Sequence, residues 1–191
     1  MSKLIISGIP RSGTTYLFRS VNNLPQSPWS PHFDKIVDHA HYLNDTIKVH
    51  TPYNNFSLNE DIKVIFLHRN LVDCILSNVK TFNHDINHFR NIGSDYNGVL
   101  EDKIFDQDIL NLEQLFDVWV TNAVFPTLVI KYEHLAECQT QIEDFIERPF
   151  SLLPFNLAPA KELDPNIALK INNTYQNLLS KLSALPPIYY T

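Results

Sequence analysis

The stretch that most constrains this chain stands at its start. The apolar run KLIIS (3–7) passes directly into GIPRSGTT (8–15), and the residues after it keep Leu17, Val21 and Leu24 on one helical face. A short β-branched run ended by glycine reads as a fully buried strand. The chain therefore opens as strand, glycine loop and helix, the unit from which sheets covered by helices are built.

The loop has the glycine spacing of a nucleotide-phosphate loop, with Gly8 and Gly13 separated by four residues. Such a loop works because successive backbone N–H groups line a concavity, helped by the positive end of the following helix. In the pattern G-x-x-x-x-G-K-[ST] the lysine reaches the β and γ phosphates and the next hydroxyl holds magnesium. Here Thr14 takes the lysine position, and the nearest cation, Arg11, lies inside the loop. A planar guanidinium close to the loop backbone suits a tetrahedral anion. The loop is expected to hold a shorter, diphosphate-like group without magnesium. A plain Gly-Pro turn is the blander alternative, but it leaves the arginine and the two threonines without a reason.

The rest of the chain continues the alternation. TIKVH (46–50), IKVIFLH (62–68) and TLVIKY (127–132) read as further strands, while KIVDHAHYL, LVDCILSNVKTF, ILNLEQLFDVWVTNA, AECQTQIEDFIERPF and NNTYQNLLSKL read as helices. Residues 83–106 are polar and irregular and read as a long loop or lid. Strands that are apolar on both faces and alternate with helices predict one α/β domain over 1–191, with a mostly parallel sheet flanked by helices. Ligands in such sheets bind beyond the carboxyl ends of the strands. The first loop, His50, Arg69 and Tyr132 all fall at predicted strand ends.

Composition narrows the partners. Net charge is −6 and no Lys/Arg run occurs, which argues against broad nucleic-acid binding but not against a small anion held by a few cations. Cys74 and Cys138 match no metal spacing and read as two reduced thiols. No segment has the length of a membrane span and none resembles a signal peptide, so a soluble cytoplasmic protein is expected.

Four segments taken together resemble the sulfotransferase family that uses 3′-phosphoadenosine 5′-phosphosulfate (PAPS). PRSGTTYL is similar to that family's 5′-phosphosulfate loop, and VIFLHRNLVDCILSNVKTF to its 3′-phosphate motif, an arginine ending a strand and a serine eight positions on. IKVHTP is similar to its K-T-H-x-P segment and LVIKYEHL to its Y-E-D segment; the four occur in the family's order across roughly 1–147. The resemblance implies a P-loop-type three-layer fold. It also implies transfer of a sulfuryl group from PAPS to a hydroxyl or amine of a small acceptor, with adenosine 3′,5′-bisphosphate (PAP) as product and no metal. By carry-over, Arg11, Ser12, Gly13, Thr14 and Thr15 cradle the phosphosulfate, Arg69 and Ser77 hold the 3′-phosphate, and Tyr16 and Tyr132 lie near the adenine. The family's C-terminal R-K-G motif is not found, and Arg90 is the candidate cation in its stead.

Sulfuryl transfer needs positioning, cations at the transferring group and a base for the acceptor hydroxyl. Lys48 and Arg11 suit the electrostatic role and His50 the base. Lys48 and His50, two apart on a strand, share a face. Asp34 and Asp38 compete for the role of base. His39 and His41 diverge on the expected helix, and His84 and His88 read as a solvated pair rather than a metal site. The stripe Leu112, Leu115, Phe116 and Trp119 reads as core. A nucleoside or small-molecule kinase with a divergent loop is the rival enzyme, and a non-catalytic nucleotide-binding protein the rival outside enzymes.

Overall fold

In the computed structural model, which describes residues 2–24, 35–37, 40–51, 61–92, 94–154 and 163–191, the opening run forms β1 (Lys3–Gly8). It is flanked on both sides by parallel strands, β4 (Thr46–Lys48) and β5 (Ile62–His68), and β6 (Thr127–Lys131) continues the parallel set beyond β5. Antiparallel strands extend both edges. β3 (Ala40–Leu43) and β2 (Lys35–Val37) lie beyond β4, and β7 (Ile188–Tyr190) lies beyond β6. The seven-stranded order is β2-β3-β4-β1-β5-β6-β7, so the sheet is mixed, with a parallel centre.

Alternation along the strands divides the core. Ile5, Ile47, Val64, Phe66 and Val129 face one side. There they meet α2 (Leu71–Phe82), α4 (Leu112–Phe116), α6 (Pro165–Thr174) and α7 (Gln176–Ala184). Leu4, Ile6, Ile65, Leu67, Leu128 and Ile130 face the other, against α1 (Thr14–Val21) and α5 (Gln139–Ile146). Helices thus cover both faces of one sheet, and the protein is α/β. Each fully buried aliphatic side chain in these layers contributes about 1.5–3 kcal/mol, which is why strands apolar on both faces are stable only at the centre.

Several sequence expectations need correction. The helix expected over KIVDHAHYL is instead the pair β2 and β3, whose backbone hydrogen bonds extend the sheet past β4. The tail PPIYYT contributes β7. Residues 83–106 are not an open loop: Asp85 caps α3 (Ile86–Asn91) by accepting from the His88 N–H, and Phe89, Ile92, Leu100 and Ile104 are fully buried. The helix expected after β6 begins as a 3₁₀ turn over Tyr132–Cys138 before α5, and α4 runs on as a π turn over Asp117–Thr121. Leu112, Leu115, Phe116 and Trp119 are buried core, as their spacing suggests. Cys74 and Cys138 are free and lie in opposite layers. Among the described residues no helix is long and apolar enough to cross a membrane.

Candidate anion site at the carboxyl edge of the sheet

Because β4, β1, β5 and β6 are parallel, their carboxyl ends open onto one edge. β1 is continued on one side by β4 and on the other by β5, so the crevice lies where strand order reverses direction.

The loop after β1 is held from below. The N–H of Ile9 and the hydroxyl of Ser12 both donate to the Leu67 carbonyl, at 3.1 and 2.9 Å. A Cβ on Gly8 would stand 2.2 Å from that same carbonyl oxygen, so only glycine lets β1 and β5 approach so closely here. Arg11 and Gly13 both take left-handed backbone conformations, with φ of 74° and 93°, on either side of Ser12. For arginine this conformation costs on the order of 1 kcal/mol, and such strain concentrates where backbone N–H groups must face a ligand. Among the described residues no side chain caps the N-terminus of α1, which begins at Thr14, so its first N–H groups and the positive end of its dipole are directed at the crevice.

Arg11, Lys48 and Arg69 approach this edge. Arg11 donates from Nε to the Ser77 hydroxyl at 2.9 Å, and its guanidinium lies 5.4 Å from the centre of the Phe82 ring. Lys48 is only 8% exposed, and desolvation, followed by the Arg11 charge, brings its pKa down to about 8. Desolvation also lowers the pKa of Arg11. Among the described residues, neither Arg11 nor Lys48 has a carboxylate partner.

Arg69 is differently placed. It pairs with Asp73 at 3.5 Å and with Glu133 at 3.8 Å, its guanidinium lies 5.5 Å from the Tyr132 ring centre, and its buried Nε makes no hydrogen bond. Of the two residues expected to hold a 3′-phosphate, Ser77 thus accepts from Arg11 and Arg69 faces two carboxylates.

His50 joins the loop to β4. Its Nδ1 is 2.8 Å from the Gly8 carbonyl and its Nε2 is 2.9 Å from the Thr14 hydroxyl. Tyr132 packs against Gly13, where an added Cβ would meet the ring at 2.2 Å. The Tyr16 hydroxyl donates to the Leu153 carbonyl, and its ring packs with the α1–α5 layer. Burial raises the pKa of both tyrosines. Thr15 follows Thr14 in the first turn of α1, and Arg90 is exposed on α3. Asp34 and Asp38 lie outside the described residues.

One residue at this edge escaped the sequence reading. His88 is not solvated: its ring stacks on Phe82 with centres 3.5 Å apart, and its Nε2 is shut from water without a hydrogen-bond partner. Burial brings its pKa down to about 4, and it feels the charges of Lys48 and Arg11. The available signal was the spacing of His88 from Phe82 and Phe89, hidden among polar neighbours. Among the described residues no group of His, Cys, Asp or Glu side chains is arranged to hold a metal ion.

Among the described residues, the edge therefore combines an uncapped helix N-terminus, a strained loop and two cations without carboxylate partners, features that suit a compact anion. No family model and no curated protein matches the chain.

Proposed function

We propose that the protein is a PAPS-dependent sulfotransferase with a P-loop-type fold, acting on a hydroxyl or amine of a small acceptor. The observation that carries this reading is that Arg11 and Lys48, neither with a carboxylate partner among the described residues, lie at the same edge as the uncapped start of α1. The group fits on the 5′ side: N–H donors and two cations meet a phosphosulfate's charge, and no lysine reaches out for a longer polyphosphate. On the 3′ side, the Arg69 Nε that lacks a hydrogen bond is one donor for a phosphate oxygen, in competition with Asp73 and Glu133.

Bound PAPS would supply the sulfuryl group and leave as adenosine 3′,5′-bisphosphate. Residues 11–15 hold the anion by backbone N–H groups and the Arg11 fork. Lys48, in its ammonium form, stabilises charge that builds on the oxygens in the transition state. His50 takes the acceptor's proton on Nε2, because Gly8 occupies Nδ1. Tyr132 lies beside the loop where an adenine ring would stack.

The test is calorimetric titration with adenosine 3′,5′-bisphosphate, with ADP and Mg-ATP in parallel. Binding of the bisphosphate alone, weakened in Arg11→Ala and Arg69→Ala, is the expected result. Preference for Mg-ATP would replace this reading with the kinase, and binding of none of them would remove the enzyme assignment.

A further inference from the structure

We propose that Thr14 is a positioning residue that caps the lone pair of His50 and releases it only when an anion enters the loop. The inference rests on the sulfotransferase reading and adds to it the regulation of its base.

The tautomer follows from the partners. The Gly8 carbonyl can only accept, so the Nδ1 that faces it at 2.8 Å carries the proton. The neutral ring then has its lone pair on Nε2, and the Thr14 hydroxyl, 2.9 Å away, donates to it. A lone pair engaged by Thr14 does not accept the proton of an incoming hydroxyl. In this arrangement the base is covered.

The Thr14 contact must therefore yield before Nε2 can act, and it is freer to do so than the Gly8 contact. The Gly8 carbonyl belongs to the end of β1, in register with Leu67 and packed so closely that a Cβ would not fit. It is fixed by the sheet. The Thr14 hydroxyl turns about a single bond. Thr14 is also the first residue of α1, at the uncapped N-terminus that Arg11 and Lys48 make attractive to an anion. A phosphate oxygen there accepts a charge-assisted hydrogen bond, about twice as strong as one to a neutral group. The hydroxyl exchanges imidazole for anion, and Nε2 is exposed to the acceptor. The residue in the lysine position of an ATP-type loop is thus 2% exposed and turned toward the base.

The test is ¹⁵N NMR of the full-length protein with labelled histidine, free and titrated with adenosine 3′,5′-bisphosphate, alongside calorimetry. In the free wild type His50 is expected as the Nδ1–H tautomer with a hydrogen-bonded Nε2. Saturation with the bisphosphate should move the Nε2 resonance downfield, as its donor leaves. Free Thr14→Val should already show that downfield position and respond no further, while Thr14→Ser should reproduce the wild type. A Nε2 resonance unmoved although calorimetry reports binding would overturn release. Equal resonances in free Thr14→Val and free wild type would overturn the cap. The wild-type titration decides release even if Thr14→Val does not fold. Absence of bisphosphate binding would remove the sulfotransferase reading and release together, leaving the cap to be judged on the free proteins.

Discussion

Arg11 and Lys48 define the site at the scale of single residues. Losing one charge-assisted hydrogen bond to an anion costs about 1.5–3 kcal/mol, so Arg11→Ala is expected to weaken bisphosphate binding roughly ten- to a hundredfold. Arg11→Gly separates binding from backbone: glycine relieves the left-handed strain, so unfolding free energy should stay within about 1 kcal/mol of wild type while binding is lost to the same extent. Lys48 adds a proton signature. Its pKa of about 8 lies below the ordinary lysine value because the ammonium is desolvated beside Arg11, and a bound anion favours the charged form. Binding at pH 8.5 should therefore take up protons, seen as a dependence of calorimetric enthalpy on the buffer's ionisation heat. Lys48→Met should abolish that uptake, and affinity in the wild type should fall as pH rises past about 8.

At the scale of elements, the junction of loop, β5 and the turn after β6 is where sequence is least free. Gly13 combines a left-handed φ with the Tyr132 ring at contact, whereas the obstacle at Gly8 is the Leu67 backbone. Gly13→Ala and Gly8→Ala should each destabilise by about 1–3 kcal/mol in urea unfolding. A double-mutant cycle distinguishes them: Tyr132→Ala should recover part of the Gly13→Ala loss, because the ring yields but the φ does not, and none of the Gly8→Ala loss. The first strand, the loop and α2 were legible in the sequence because β-branched runs, glycine spacing and the apolar face of LVDCILSNVKTF are local signals. β2, β3 and β7 were not, because they are short antiparallel strands held by pairing, β2 to β3, β3 to β4 and β7 to β6, rather than by their own pattern. α3 was masked by the polar residues around Phe89 and Ile92.

For the whole molecule, two shielded histidines among the described residues weaken the fold in acid. His68 and His88 both have pKa values lowered to about 4, His68 by burial and then the Lys131 charge, His88 by burial with Lys48 and Arg11, against the opposing pull of Asp85. The unfolded chain takes up these protons near pH 6.5 and the folded chain not until near pH 4. Stability is therefore lost as pH falls through that window, at about 1.4 kcal/mol per pKa unit for each group. Urea midpoints should drop between pH 6.5 and 5, before most carboxylates titrate, and His88→Gln should flatten the decline. The same two groups contribute no further loss below about pH 4.

The sequence by itself determined the α/β class, the parallel centre and the position of the glycine loop after β1, since each depends on neighbours along the chain: apolar runs, glycine spacing and residues at strand ends. Tertiary structure decided how the site is wired. The Ser77 hydroxyl accepts from Arg11, 66 residues away in the chain. Arg69 faces Asp73 and Glu133, whose approach depends on β5 and β6 lying side by side. Thr14 and His50 are 36 residues apart and meet only because β4 pairs with β1. Hydrogen bonds and ion pairs are fixed by ångström distances between strands, and no local pattern encodes those distances.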